Sequence, residues 1–154
     1  MAKIYVSGTN RSIIVQENLK APMGLTLDLK RQRLFWCDSE LTTLNSVAFD
    51  GSDRRSLIES QSSKWLSKPI GVTFFEGHLY WIDVTFNGGS ISKVSTISDR
   101  APELLADHLI DIHDLKIYSP RTQKGNIFHK SSKIFQLPHL SVRNRGVVRN
   151  FYLC

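Results

Sequence analysis

Two segments of this chain are repeated further along it, and this internal repeat constrains the fold more than any other feature. Residues 22–27, Pro-Met-Gly-Leu-Thr-Leu, return at 69–74 as Pro-Ile-Gly-Val-Thr-Phe, 47 residues downstream. Residues 35–38, Phe-Trp-Cys-Asp, return at 80–83 as Tyr-Trp-Ile-Asp, 45 residues downstream. A period in the forties that carries strand-like segments is typical of the blades of a β-propeller.

Each repeat unit has the pattern of four short strands separated by turn residues. In the first unit, apolar alternation predicts strands over 24–28, 33–38, 43–49 and 54–58. In the second unit, it predicts strands over 71–75, 79–83, 90–95 and 103–106. Gly51 and Gly77 fall in the predicted turns, where glycine supplies the positive φ that a tight turn requires. Each unit therefore has the content of one propeller blade.

The flanking sequence resembles parts of a further blade at either end. Residues 4–14 resemble the hairpin at 47–57, and residues 113–118 resemble the first strand at 70–75. We therefore expect an all-β fold, a partial propeller of about two and a half blades over residues 3–123. Its full blade would span about 24–66 and the next blade about 71–110.

The last part of the chain differs from the rest in charge and in pattern. Residues 124–154 hold six lysines and arginines and no acid, which accounts for the whole formal net charge of +6. Such a step in composition marks a boundary, so we expect an irregular basic tail foreign to the repeat. Its apolar patch at 146–153 could instead form a strand against the last blade. The charges are spread without regular aromatic interleaving, so the pattern does not favour nucleic-acid binding.

The composition is that of a globular protein, with 41% hydrophobic and 22% charged residues. No apolar run reaches the roughly 18 residues of a membrane helix, so we expect no direct membrane insertion by this chain. Residues 1–5 lack the apolar core of a secretory signal. Two cysteines, Cys37 and Cys154, are too few for a disulfide framework.

Three motifs in a fixed order resemble the class B repeat of the low-density lipoprotein receptor family. They are the Pro-x-Gly-Leu-Thr-Leu-Asp strand at 22–28, the aromatic-Trp-x-Asp strand and the Asp-Gly-Ser-Asp-Arg turn at 50–54. That repeat, named for Tyr-Trp-Thr-Asp (YWTD), builds six-bladed propellers in lipoprotein receptors, related endocytic receptors and nidogen. Residues 111–123 also resemble the end of a receptor propeller before an epidermal-growth-factor-like module. Because two and a half blades cannot close a ring of six, we expect a truncated piece of such a propeller.

The resemblance implies a non-enzymatic extracellular module that takes part in ligand binding and recycling by an endocytic receptor. It implies protein or lipoprotein ligands, bound through the parent receptor, and no cofactor. One alternative is a matrix-binding or growth-factor-precursor propeller. Another is a propeller hydrolase with a calcium ion in its channel, which would need inward-facing Glu, Asn and Asp side chains. The predicted innermost strands instead offer Leu25, Leu27, Val72 and Phe74.

The residues expected to matter most form the two signature strands. These are Phe35, Trp36, Cys37, Asp38, Tyr80, Trp81, Ile82 and Asp83. Strand alternation places Phe35 and Cys37 on one face and Trp36 and Asp38 on the other. A buried aspartate must accept hydrogen bonds, most simply from backbone N–H groups of an adjoining turn or blade. We expect structural roles for all eight residues, and a buried, inert thiol at Cys37.

Two further patterns suggest a metal site and a modification site. A cluster that suits zinc contains Asp107, His108, Asp111, His113 and Asp114. Alternation divides these residues between a connection and two strand faces, so we predict no metal site. Asn10-Arg11-Ser12 is an N-glycosylation sequon, which becomes relevant if the chain enters the secretory pathway.

Overall fold

The computed structural model describes residues 1–3, 9–59 and 65–118, and the backbone of residues 135–136 and 150–153. These residues form strands, turns and loops and no helix. The expected all-β class is therefore confirmed. Among the described residues, no helix is long and apolar enough to cross a membrane.

Two four-stranded antiparallel sheets form the centre of the molecule and confirm the two predicted blades. The first blade contains β3 (Pro22–Asp28), β4 (Arg33–Asp38), β5 (Thr43–Ala48) and β6 (Arg55–Glu59). The second blade contains β7 (Pro69–Phe75), β8 (His78–Thr85), β9 (Gly88–Ser95) and β10 (Glu103–Leu109). In each sheet the strands lie side by side in chain order. Both blades are therefore simple antiparallel meanders, as in a propeller.

The two glycines predicted to lie in turns, Gly51 and Gly77, both lie in connections between strands. Glu76 and Gly77 form a two-residue turn between β7 and β8, and both have positive φ, +44° and +77°. This is the type I′ geometry that suits the twist of a hairpin. Gly51, with φ of +91°, lies in the longer connection over 49–54 between β5 and β6. The connection between β5 and β6 is thus longer than a two-residue hairpin turn.

Partial sheets flank the two blades. The N-terminal strand pair consists of β1 (Ala2–Lys3) and β2 (Ser12–Ile13), and residues 4–8 of the predicted hairpin lie outside the described residues. The C-terminal sheet contains β11 (Leu115–Tyr118), β12 (Phe135–Gln136) and β13 (Asn150–Leu153). Its strand order is β11-β13-β12. The backbone of residues 150–153, the last part of the apolar patch, therefore forms a strand here, and the rest of the predicted basic tail, apart from β12, lies outside the described residues.

The core consists of three layers between successive sheets. The layer between the two blades contains Phe35 and Cys37 from the first blade and Val72 and Trp81 from the second. A second layer packs Trp36, Leu34 and Val47 of the first blade against Val15. A third packs Tyr80, Ile82 and Ile91 of the second blade against Ile112 and Leu115. The second strand of each blade, β4 or β8, is thus apolar on both faces because it is covered on both.

Candidate functional site: the signature strands

The signature residues lie on the second strand of each blade, between two hydrogen-bonded neighbours. In the first blade, Trp36 lies opposite Leu25 on β3 and Asn45 on β5. In the second, Trp81 lies opposite Val72 on β7 and Ser92 on β9. Both tryptophans face the preceding sheet, and the residues on either side of each face the following one. The predicted division of the two faces is confirmed.

Direct contacts join the first two strands of the first blade to the first strand of the second. The rings of Phe35 and Phe74 stack with centroids 5.4 Å apart and planes inclined by 7°. The backbone N–H of Phe74 donates a hydrogen bond of 3.0 Å to the hydroxyl oxygen of Thr26. A threonine hydroxyl therefore bonds a backbone donor of the neighbouring blade, and this fixes the offset between β3 and β7.

Trp36 is also held by an arginine that sequence reasoning missed. The guanidinium of Arg54 lies 5.3 Å from the centre of the Trp36 ring. It also donates hydrogen bonds to the carbonyl oxygens of Glu17, at 2.8 Å, and Asn18, at 3.0 Å. A cation over an indole is attracted by the ring quadrupole. Arg54 thus ties the segment before the first blade to the signature tryptophan. The signal in the sequence is its place at the end of the Asp-Gly-Ser-Asp-Arg turn.

The indole N–H groups of Trp36 and Trp81 have no hydrogen-bond partner, although both are buried. The two side chains are only 1% and 0% exposed. A buried unpaired donor costs about 1–3 kcal/mol. The large apolar area of each indole offsets that cost. Both tryptophans therefore stabilise the blades through packing.

The two signature aspartates clamp the chain that leads into their own blades. Asp38 accepts hydrogen bonds from the backbone N–H groups of Lys20, at 2.9 Å, and Ala21, at 3.1 Å. Asp83 accepts from the equivalent pair, Ser67 at 2.7 Å and Lys68 at 2.5 Å. In both cases the donors immediately precede the proline that begins the first strand. The expected hydrogen bonds to backbone donors are confirmed. They join the end of the second strand of each blade to the segment that leads into its first strand.

The pKa values of the two signature aspartates are shifted in opposite directions. Burial raises the pKa of each carboxyl group, and backbone N–H donors lower it. Asp38 also accepts from Glu40 at 3.2 Å and Leu41 at 3.0 Å, and its four donors together hold its pKa below the usual range. For Asp83, burial outweighs its backbone donors and raises the pKa. The ionised form is therefore favoured at Asp38 and disfavoured at Asp83.

Replacing each aspartate by asparagine should expose this difference in stability. The Asp38 contribution is present above the unfolded pKa of about 3.9 and is lost as the pH falls through its lower folded pKa. The Asp83 contribution is present below that value and is lost as the pH rises through its higher folded pKa. At pH 7 we expect Asp38→Asn to lower the free energy of unfolding by about 1–3 kcal/mol, and Asp83→Asn to lower it less. Urea titrations at pH 7 and pH 4 measure both effects, and equal losses at pH 7 would contradict the assignment.

Cys37 lies in the layer between the blades and is fully buried. Its thiol donates to the carbonyl oxygen of Met23 at 2.9 Å. Burial raises the pKa of the Cys37 thiol to about 12. Because the thiolate is the reactive form of cysteine, this thiol is unreactive at neutral pH.

The acidic and histidine-containing segment before β11 does not assemble into a metal site in the described part of the chain. Asp107 and His108 pair with each other at 3.3 Å and are largely exposed. Asp114 caps the backbone N–H of Leu115 at 2.8 Å and lies 3.5 Å from Lys116. Asp107 and His108 thus lie within β10 and not in the connection expected from the sequence, whereas Asp114 ends the connection that leads into β11. Asn10 of the sequon is exposed, and its modification stays a prediction.

An open polar groove runs beside the outer strands of the first blade. It has a volume of about 540 Å³. Its lining includes Asn18, Thr43, Asn45, Arg54 and Arg55. Amide, hydroxyl and guanidinium groups thus meet on one surface, together with the carboxylate of Glu59.

The signature strands, each with one buried tryptophan, match a known repeat. The family described as low-density lipoprotein receptor repeat class B matches residues 32–76, from β4 to the end of β7. This chain carries low-density lipoprotein receptor class B repeats. Two relatives that are similar over a longer part of the chain support the same family. The Vitellogenin receptor Yl of Drosophila melanogaster is 30% identical over 126 residues, 82% of this chain. The Sortilin-related receptor of Mus musculus is 28% identical over 122 residues, 79% of this chain.

This chain corresponds to a small part of the length of each relative. The chain spans 6% of the Drosophila receptor and 5% of the mouse receptor. Among solved structures, the crystal structure of the nidogen/laminin complex matches with a TM-score of 0.65 and 26% identity, over 74% of this chain and 43% of that chain. A luciferin-regenerating enzyme matches with a TM-score of 0.53 and 17% identity, over 88% of this chain and 45% of that chain, and shows the fold alone. The fold is thus a partial YWTD propeller.

Proposed function

We propose that this chain is a non-enzymatic, extracellular ligand-binding module of an endocytic receptor related to the low-density lipoprotein receptors. The observation that carries the proposal is the class B repeat at residues 32–76, together with receptors among the relatives. The ligands are proteins or lipoproteins that the receptor takes up and releases during recycling. The exposed sequon at Asn10 agrees with an extracellular location.

The absence of catalysis is supported by how the reactive side chains are used. The thiol of Cys37 is buried with a pKa of about 12. Both signature carboxylates are occupied by backbone donors. The innermost strands β3 and β7 carry Leu25, Leu27, Val72 and Phe74, whose side chains have no oxygen atom to offer to the calcium ion of a propeller hydrolase. Cys37, Asp38 and Asp83 therefore each have a structural task.

A second candidate function is binding to an extracellular matrix protein. It is favoured by the similarity to a propeller solved in the nidogen/laminin complex. In both candidates the ligand is a protein, and the polar groove beside Arg54 and Arg55 offers a surface suited to a polar or acidic segment.

Surface plasmon resonance with immobilised vitellogenin and immobilised laminin separates the two functions. We expect the full chain to bind vitellogenin saturably, as a receptor-type module would. Binding to laminin alone would favour the matrix function, and binding to neither would contradict both assignments for these ligands. A Trp81→Ala variant serves as a control because binding that survives loss of the packed blades is non-specific.

A further inference from the structure

The hairpin between β8 and β9 has an exposed asparagine, followed by a glycine, at its tip. β8 ends at Thr85 and β9 begins at Gly88, and these two residues lie opposite each other, so Phe86 and Asn87 alone form the turn. The hydroxyl group of Thr85 donates a hydrogen bond of 2.9 Å to the carbonyl oxygen of Gly88. Phe86 is fully exposed, and Asn87 is exposed as well. The side chain of Asn87 therefore lies in solvent at the tip of a short loop, where tolerance to chemical change is concentrated.

The residue after Asn87 leaves the backbone beside the asparagine side chain unshielded. Gly88 has no Cβ atom, and its φ of +114° is a conformation that favours glycine. The side-chain carbonyl carbon of an asparagine and the next backbone nitrogen can close a succinimide ring. Because both groups belong to one short stretch of chain, their reaction is much faster than that of two separate molecules. A Cβ atom on the following residue would crowd this approach, and glycine removes that crowding.

Asn45 has the opposite environment in the first blade. It lies within β5, opposite Trp36 on one neighbouring strand and Ser56 on the other, and it is 7% exposed. Its side-chain amide nitrogen donates a hydrogen bond of 2.7 Å to Oγ1 of Thr43. The residue that follows, Ser46, carries a Cβ atom and is fully buried. One asparagine is thus held inside a sheet, whereas the other is exposed at a turn.

We propose that Asn87 is a site of spontaneous deamidation, with water as the only co-reactant. The backbone nitrogen of Gly88 attacks the Cγ atom of Asn87. A C–N bond forms, the bond from Cγ to Nδ2 breaks, and Nδ2 leaves as ammonia with the amide proton of Gly88. Water then opens the succinimide ring. Addition at Cγ breaks the bond from Cγ to the Gly88 nitrogen and gives aspartate. Addition at the backbone carbonyl carbon of Asn87 breaks the bond from that carbon to the Gly88 nitrogen and gives isoaspartate, in which the main chain runs through Cβ and Cγ. Nothing is oxidised or reduced in either route.

The isoaspartate product disturbs a close contact between β9 and β10. A Cβ atom placed on Gly88 would lie 3.2 Å from the carbonyl oxygen of Leu109 and 3.3 Å from the Cα atom of His108. The two backbones therefore meet at Gly88 with little free space. Isoaspartate lengthens the main chain before Gly88 by a carbon atom, so Gly88 cannot keep both its place opposite Thr85 and its contact with β10. We therefore expect the modification to destabilise this end of the second blade.

Peptide mapping of the aged protein tests the proposal. The folded full chain is incubated at neutral pH, digested with trypsin and analysed by mass spectrometry, and a sample digested without incubation corrects for conversion during digestion. The tryptic peptides 65–93 and 34–54 contain Asn87 and Asn45, respectively, as their only asparagine. We expect Asn87 to convert at least roughly ten times faster than Asn45, since a paired central strand opens far less often than a loop tip. An isoaspartyl methyltransferase should label the Asn87 peptide alone. Equal conversion of the two asparagines, or a product without isoaspartate, would overturn the proposal.

Two variants of Asn87 separate the reaction from its effect on the blade. Asn87→Gln should keep its amide through the same incubation, because the longer side chain closes its larger ring much more slowly. We expect the aged wild-type chain to denature at a lower urea concentration than the fresh chain, in proportion to its isoaspartate content, while aged Asn87→Gln keeps its midpoint. Fresh Asn87→Asp carries the charge of the product on a normal main chain, so it should shift the midpoint less. An unchanged midpoint after conversion, or an equal loss in aged Asn87→Gln, rejects the effect on the second blade.

Discussion

Replacing Trp81 by alanine is expected to lower the free energy of unfolding by about 3–5 kcal/mol. The Trp81 side chain is fully buried between the two blades, where it packs with Cys37, Leu44 and Leu79. Its truncation leaves a cavity bounded by two sheets, and sheets held by their own hydrogen bonds cannot collapse into the gap. The loss is partly offset because the substitution also removes an unpaired buried N–H.

Urea denaturation followed by circular dichroism measures this effect. Phe86→Ala is the matched control, because Phe86 is an aromatic residue in the turn between β8 and β9 and is fully exposed. Trp36→Ala should cost a similar amount as Trp81→Ala, since Trp36 is 1% exposed and also carries the Arg54 contact. A negligible shift of the denaturation midpoint in both tryptophan variants would show that the layers between sheets do not hold the blades together.

Much of the fold could be predicted from the sequence because each blade repeats its local signals. Alternation and glycine turns are local properties, so the eight blade strands were located to within a few residues. Burial of the signature strand follows from a covered blade, in which both faces are apolar. The hydrogen bonds to Asp38 and Asp83 follow from the requirement that a buried carboxylate be satisfied.

What the sequence could not predict depends on the geometry of single turns and on contacts between distant segments. The pKa of Asp83 is raised because burial outweighs its backbone donors, whereas that of Asp38 is lowered because the turn after β4 adds the donors Glu40 and Leu41. The contact of Arg54 with Trp36 joins positions 18 residues apart through a turn of unpredicted length. Leu25 is 57% exposed. Its exposure depends on whether another sheet packs over β3, and no local pattern in the sequence encodes that.

Gly24 lies where the first strands of the two blades approach each other, and the local sequence does not encode that contact. It lies at a bulge between Met23 and Leu25 and has φ of +50°, a conformation that favours glycine. A Cβ atom placed there would lie 2.7 Å from the backbone nitrogen of Val72 and 2.9 Å from the Cα of Gly71. Those atoms belong to the hydrogen-bonded β7 strand, so they cannot rotate away as a side chain would.

Gly24→Ala is therefore expected to lower the free energy of unfolding by about 2–4 kcal/mol, since backbone strain and overpacking each cost roughly 1–3 kcal/mol. Two alanine controls separate these causes in the same urea titration. Gly71→Ala occupies the equivalent repeat position, but there the nearest atom is the flexible Cδ1 of Ile82 at 3.5 Å, and a small effect is expected. Gly77→Ala keeps the strain, with φ of +77°, but meets only the Cδ1 of Ile97 at 3.7 Å. If Gly24→Ala costs no more than Gly77→Ala, strain alone explains the loss, and the close approach of β3 to β7 is not what couples the two blades.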